Sequence, residues 1–405
     1  MTVMTINVDA AGMRRINLST VLSVIRGKRT TSRIDISQIT GLNKATVSYL
    51  VDELIQEQLV QEIGYGSSSG GRKPVLLKFN ANAAYAIGVD IQITHMTTVV
   101  SNTRGEVVYR QTKQLAAHEQ AALYQEKLVE MILVEVAAAM KATPPSPHGL
   151  AGIGVALPGI VNFAVGTVYY LPNINVANWD LQSVLSQHFK VPVFIDNDAN
   201  CGAWCEFQHR NLRVQNLVHI NAGVGIGVGV IVNGQLYRGK DGLAGEFGHM
   251  TIAAIGLECS CGNYGCWEEY ASERSLLRYI RESGGKKPQA ASGWSVVEQI
   301  LYEAQHDNRA YIRAFHTLGE YLGVGIANIL NGLNPEQVTI GGMLSRAATF
   351  ILPEIERVLQ HRAILLNKST PLMIANANAV AIGAAELVID QTLFSYPKQG
   401  NAIDT

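Results

Sequence analysis

The sequence predicts an α/β protein in which a small N-terminal winged helix-turn-helix head precedes a two-lobed body built from two copies of one strand-rich unit. Three observations predict it. Between Ile16 and Ile55 apolar residues recur at helical spacing and are broken by glycine turns. From Tyr85 onward short apolar strands take over, and the order strand, polar or glycine turn, strand, tight turn, strand occurs twice. A chain of 405 residues is also long for one core, so two or three domains are expected.

Composition narrows the class. Hydrophobic residues make up 47% of the chain and charged residues 16%, as in a well-buried globular protein. No apolar segment of signal-peptide type follows the first residues. The most apolar run, Leu217 to Val232, is interrupted by His219, Asn221 and four glycines, which suits buried strands around a turn and not a membrane span. The expectation is a soluble, cytoplasmic chain with no membrane partner. The net charge of −1 hides an asymmetry, because residues 1–80 hold ten Lys or Arg against six Asp or Glu. A basic head on an acidic body suits a head that meets a polyanion.

In chain order, Ile16, Leu18, Val21, Leu22 and Ile25 mark a first helix that Gly27 ends. A second helix fits 32–40, with Ser32 as N-cap and Ile34, Ile36 and Ile39 within it. Gly41 and Leu42 make the turn. A third helix starts at Asn43 or Thr46 with an apolar face of Val47, Leu50, Val51, Leu54 and Ile55. Helix, glycine-containing turn, helix is the arrangement that places its second member in the DNA major groove. Lys44, Ala45, Thr46, Ser48 and Tyr49 lie off the apolar stripe or at its start, where base edges are read, and Arg33 at the start of the second helix is a further candidate contact. Strands at 59–63 and 74–79 flank a glycine- and serine-rich loop, giving a wing whose Arg72 and Lys73 would neutralise phosphates. The domain limits are 1–80 for the head, 81–200 for a first lobe completed by a C-terminal helix within 375–405, and 201–374 for a second lobe.

In the body the first unit reads Ala86 to Ile91, Thr97 to Ser101, a turn at Thr103 to Glu106, and Val107 to Arg110. The second reads Leu217 to Ile220, the turn Gly223 to Gly227, Val228 to Val232, Asn233-Gly234, and Gln235 to Arg238. A helix around 121–140 and strands ending at Leu157-Pro158-Gly159 and at Asp196-Asn197-Asp198 lie between them. Helices follow at 272–282, 294–305 and 312–330, then a strand ending at Gly341-Gly342. Polar and glycine residues just after strands are where α/β folds place ligand contacts, and a cleft between two such halves is the natural ligand site. Asn197 and Asp198 also suit helix capping.

The densest chemistry is in 249–268. His249, Cys259, Cys261 and Cys266 fall within eighteen residues and match the nitrogen and sulfur shell of a closed, structural zinc site. The other reading is that the cysteines are small buried hydrophobes. Glu246 and Glu268 flank the cluster, and Cys201 and Cys205 are left as packed thiols in a reducing compartment.

Taken in order, the winged helix, Leu157-Pro158-Gly159, Asp196 to Asn200, Gly245-Glu246-Phe247-Gly248-His249 and the cysteine run resemble the ROK family (repressor, open reading frame, kinase) over nearly the whole chain. Within it, the sequence looks most similar to the xylose repressors of Gram-positive bacteria. The resemblance implies an actin-like, hexokinase-like body, a sugar in the cleft, and dimers or higher homo-oligomers. It places sugar contacts on Gly159, Asn197, Asp198, Glu246, His249 and Glu268, with His249 shared between zinc and sugar. In kinase members the residue at Asp198 is the base. Here the first phosphate loop, Asp-x-Gly-Gly-Thr in the kinases, reads Asp90-Ile91-Gln92-Ile93-Thr94, and the second, Gly-Thr-Gly, reads Gly223-Val224-Gly225, while Gly341-Gly342 is kept. Side chains then stand where amides must approach phosphate. The expectation is a repressor that binds operator double-stranded DNA and is released by a monosaccharide inducer, xylose favoured, without catalysis. The alternative is a DNA-binding sugar kinase with weak ATP-dependent phosphorylation of an aldose.

Overall fold

The computed structural model describes residues 9–67, 73–115, 124–171, 176–209, 214–286, 288 and 294–394. Local capping sets the geometry of the head. Asp9 accepts from the Gly12 amide at the start of α1 (Ala10–Gly27). Ser32 and Asp35 exchange bonds in a capping box that starts α2 (Arg33–Thr40), and Gly41 ends it with φ 72°. Asn43 accepts from the Thr46 amide to start α3 (Lys44–Gln56). Val21, Leu22, Ile25, Ile36, Val47, Leu50, Val51 and Leu54 form the core of this head, whereas Ile34 and Ile39 face solvent. Strands β1 (Thr31–Ser32), β2 (Val60–Tyr65) and β3 (Val75–Phe79) form a sheet in the order β1-β3-β2. The β2–β3 hairpin is the frame of the wing. Its tip, with Arg72, lies outside the described residues, and Lys73 at its root is exposed.

The body repeats one topology. In the first sheet β4 (Tyr85–Ile91), β5 (His95–Asn102) and β6 (Val107–Gln114) run antiparallel in succession. Strand β7 (Leu150–Leu157) then lies parallel to β4 on its other side, and β11 (Val193–Asn197) lies parallel to β7. In the second sheet β12 (Leu217–Ala222), β13 (Ile226–Val232) and β14 (Gln235–Leu236) take the places of β4, β5 and β6. Strands β15 (Gln337–Gly341) and β16 (Leu372–Ile374) take those of β7 and β11. Between β7 and β11 a small antiparallel sheet is formed by β8 (Ile160–Asn162), β9 (Thr167–Leu171) and β10 (Val176–Trp179).

The expected helix at 121–140 is α4 (Gln125–Ala142), with 121–123 outside the described residues. Helix α5 is Leu181–Phe189. The lobe boundary expected at 200 falls inside α6 (Asp198–His209), whose buried face carries Cys201 and Cys205 and which packs on both β12 and β13. A short α7 (Glu268–Ala271) leads into α8 (Glu273–Glu282), followed by α9 (Val296–Gln305), α10 (Arg309–Leu333) and α11 (Ala348–Arg362). Among the described residues no helix is long and apolar enough to cross a membrane.

The last helix, α12 (Ala379–Ile389), is buried at every position. It crosses the first sheet so closely that a Cβ on Gly88 would run into the Ala381 carbonyl, and one on Gly154 into that of Ala384. Ala385, Val388, Ile389 and Phe394 then join Val21, Leu22, Ile25 and Phe79 in the core of the head. The Ser19 hydroxyl donates to the Phe394 carbonyl at 3.0 Å, and the Arg26 guanidinium lies 4.5 Å from the Phe394 ring centroid. The helix therefore packs on the first sheet and also joins it to the head. Residues 395–405 lie outside the described residues. Gly154→Ala should cost about 1–3 kcal/mol through overpacking. Chemical denaturation of the full chain checks this, and an unchanged midpoint would mean that α12 can back away from the sheet.

Candidate functional site

The parallel strands of each sheet end at a shared cleft of about 880 Å³ between the lobes. Gly159 follows β7, Asn197 ends β11, and Asp198 opens α6. Glu246 and His249 sit on one 3-10 turn (Glu246–His249), and Glu268 opens α7. All six line the cleft, so the structure brings every sugar-contact candidate together.

Their bonds separate the candidates. The Asn197 Nδ2 donates to the Gly159 carbonyl at 3.0 Å, and its Oδ1 accepts from the Ala199 and Asn200 amides at 2.9 and 3.2 Å. The capping role is thus realised, and only part of this amide is left for a ligand. Asp198 Oδ1 accepts from the Ala199 amide at 2.9 Å. Its Oδ2 accepts from Gln92 Nε2 at 3.1 Å and Asn221 Nδ2 at 2.8 Å. Gln92 Nε2 also donates to Asp90 Oδ1 at 2.8 Å, so one amide ties the half-buried Asp90 to the buried Asp198. Burial is the main cause that pushes both Asp90 and Asp198 up to about 6. Beside them Asp196 is buried and held by Arg238 Nε at 3.0 Å and by Asn200 Nδ2 at 3.0 Å, which fixes the end of β11.

Glu268 Oε2 accepts from the Ile226 amide at 3.0 Å and so grips the Gly223–Gly225 turn. His249 Nδ1 lies 3.6 Å from Cys259 Sγ, and Cys261 Sγ lies 3.7 Å from Cys266 Sγ. The four donor atoms all lie within 4.8 Å of one another, a set that can hold a metal ion. Two backbone bridges, Thr251 with Cys266 and Glu258 with Tyr264, fold the loop into this shape. The other ring nitrogen, Nε2, is 4.0 Å from Glu246 Oε2.

Gln92, Asn221 and Glu273 were not singled out by sequence reasoning as site residues, yet each lines the cleft. Asn221 had a signal, as a polar residue near the end of an apolar strand. In the head, Lys44, Ala45 and Tyr49 are exposed and Thr46 and Ser48 half-buried, opposite the buried Val47 and Leu50. Arg33 differs from the expectation. Its guanidinium bonds Asp52 at 2.6 Å and Glu62 at 2.8 Å, so it ties α2 to α3 and the wing instead of standing open to a phosphate.

A winged helix-turn-helix head joined to a duplicated, two-lobed cleft defines the class, a DNA-binding head on an actin-like, hexokinase-like body. The chain belongs to the ROK family, whose model matches residues 86–391. It is 36% identical over 397 residues to the xylose repressor of Caldicellulosiruptor bescii, covering 95% of this chain and 98% of the relative. Among solved structures, a ROK family transcriptional regulator, a homolog of the E. coli MLC protein, is similar with a TM-score of 0.74 and 26% identity over 94% of this chain and 97% of that one. A ROK family glucokinase from Streptomyces griseus with glucose and AMPPNP has a TM-score of 0.65 and 27% identity over 75% of this chain and 98% of its own.

The double use of Asn197 gives a direct test. Asn197→Ala removes the cap and leaves the Gly159 carbonyl without its donor, and should cost about 0.5–2 kcal/mol in urea unfolding. Asn197→Asp keeps the cap and should lose less. Equal losses for the two would show that capping is not what this side chain contributes.

Proposed function

We propose that this chain is a sugar-responsive transcriptional repressor. It binds operator DNA through the winged helix as a homodimer or higher oligomer and is released by a monosaccharide, xylose favoured, held in the cleft without phosphorylation. One observation carries the reading: α12 lines the ligand cleft at Ala379 and Val380 and ends inside the core of the head. The full-length likeness to a xylose repressor supports it.

The sugar site follows from the donor set. At neutral pH Asp198 is ionised and, with Glu246 and Glu268, accepts from sugar hydroxyls. The free Nδ2 hydrogen of Asn197 and the His249 Nε2 complete the ring of partners. Gln92 and Asn221 already occupy Asp198 Oδ2, which orients the carboxylate and blunts it as a base. Sugar bound between the lobes changes their separation, α12 passes the change to the head, and the two heads of a dimer lose the spacing of their half-sites.

We assign zinc to the His249, Cys259, Cys261 and Cys266 cluster. Ordinary zinc bonds to sulfur and nitrogen in a tetrahedron put sulfur atoms about 3.8 Å apart and sulfur and nitrogen about 3.6 Å apart. The observed 3.7 and 3.6 Å agree. The metal would fix the His249 tautomer with Nδ1 inward and hold Nε2 toward the cleft.

Two experiments test these assignments. Lys44→Ala should weaken binding to a labelled palindromic operator by about tenfold while leaving the sugar response intact, and Glu268→Ala should leave operator binding intact and abolish release by sugar. An operator affinity unchanged by every aldose tried would overturn induction, and sugar-dependent ADP release from ATP, lost in Asp198→Asn, would establish the weak-kinase alternative. For the metal, Cys259→Ser with Cys261→Ser should lose zinc by elemental analysis and lose the sugar response. A metal-free double variant with a normal response would refute the supporting role.

A further inference from the structure

Beyond Asp198 the cleft continues into a half that sugar recognition leaves unused. Two turns face this space, Gln92–Thr94 after β4 and Gly223–Gly225 after β12. Turns of this kind can present backbone N–H groups to an anion. In this chain each turn is partly engaged from within, the Gln92 backbone amide donating to the His95 carbonyl at 2.8 Å. Gln92 bonds Asp90 and Asp198, the Gly223 amide donates to the Gly225 carbonyl at 2.9 Å, and the Ile226 amide donates to Glu268.

Glu273 adds a carboxyl group at the same place, charged once the pH rises above about 7. It is the first residue of α8, its amide donates to the Gly223 carbonyl at 2.9 Å, and a Cβ on Gly223 would lie 3.7 Å from its Oε1. Among the described residues its carboxylate makes no ion pair or side-chain hydrogen bond. No cation contributes to the shift of Glu273, which burial pushes up to about 7, and Arg346, which also lines the cleft, is taken by Glu298.

We propose that Glu273 is a built-in anion: its carboxylate stands where the phosphates of a nucleotide would meet the Gly223–Gly225 turn, and it bars nucleoside polyphosphates from a cleft large enough to take them. This rests on the reading of the cleft as a sensor that does not consume its sugar, and it names the side chain responsible. An acid at the first position of a helix also suits the helix dipole, so a purely stabilising role is the competing account. The two differ in what removal of the charge does. A stabilising acid lowers the unfolding midpoint and nothing more, whereas a barrier opens a binding site.

The experiment is equilibrium dialysis of the full chain against Mg·ATP at about pH 8.5, above the value of about 7 to which burial raises Glu273, so that its carboxylate is charged. A cooperative unfolding transition is the check on folding. The parent should show no saturable binding. Glu273→Gln and Glu273→Ala should each bind at least about tenfold tighter than the parent, the order expected when a like charge is removed from the neighbourhood of a phosphate. Glu273→Asp, which keeps the charge, should stay closed. Folded Gln and Ala variants that bind Mg·ATP no better than the parent would overturn the inference while leaving the sensor reading untouched. A parent that releases ADP with sugar would overturn the sensor reading itself, and the inference with it.

Discussion

The packing of α12 is the constraint on which the rest depends. A helix of eleven buried residues has no solvent face to set its orientation, so its neighbours fix it on every side. Gly88 and Gly154 let two central strands approach its backbone, α6 covers its flank, and the head closes over its end. Polar groups sharpen the joint. His209 Nε2 pairs with the buried Glu386 at 2.8 Å, and Arg26 of the head sits in the field of Glu386 and Asp390, which offsets part of the lowering that burial imposes on it. Glu386 is the buried member of this group, and removing His209 or Arg26 would leave its charge less compensated, so these pairings add to the packing that holds head and lobe together. A displacement of the first lobe therefore reaches the head through packed atoms and not through a linker.

The duplicated topology explains why the cleft is where it is. Parallel strands of both sheets end at the cleft, and the turns after β4 and β12 line it. A pair of loops that could embrace a phosphorylated ligand is thus the default product of the fold, and local residues decide what it does. Here the local residues are Gln92, an apolar Val224, and acids from α7 and α8 turned onto the second loop. None of them alters the architecture, which is why a kinase and a regulator can be similar to one chain over most of its body.

How much was legible in the sequence depended on how far apart the interacting residues lie. Caps and turns are settled within four residues, so the helices of the head and the turn at Gly41 could be placed from sequence alone. The cysteine cluster is likewise contained in one loop. Arg33 could not be read this way, because the acids that claim it stand 19 and 29 positions away. Gln92 becomes part of the site only through a bond across 106 positions, and the bond of Ser19 to Phe394 spans 375. A C-terminal helix was expected to complete the first lobe, but an apolar helix gives no sign of how many partners it serves. Asn197 shows the opposite case, where the capping reading is seen in the bonds and the same side chain also lines the cleft.

The thiol loop is tied into the molecule by the residue between its last thiol and Glu268. Trp267 is fully buried, its Nε1 donates to the Tyr321 carbonyl at 2.8 Å, and its ring lies so close to Gly325 that a Cβ there would collide with it. Cys266 and Glu268 are therefore set by the position of α10 in the core of the second lobe, not by the loop alone. On the other side His249 turns Nδ1 toward Cys259 and Nε2 toward Glu246. A loop anchored at one end to the core and at the other to the cleft cannot loosen without releasing Glu268 from the Ile226 amide and His249 from the wall. A metal held by its four donors would fix both ends at once, which is the physical argument for placing a metal shell beside this cleft.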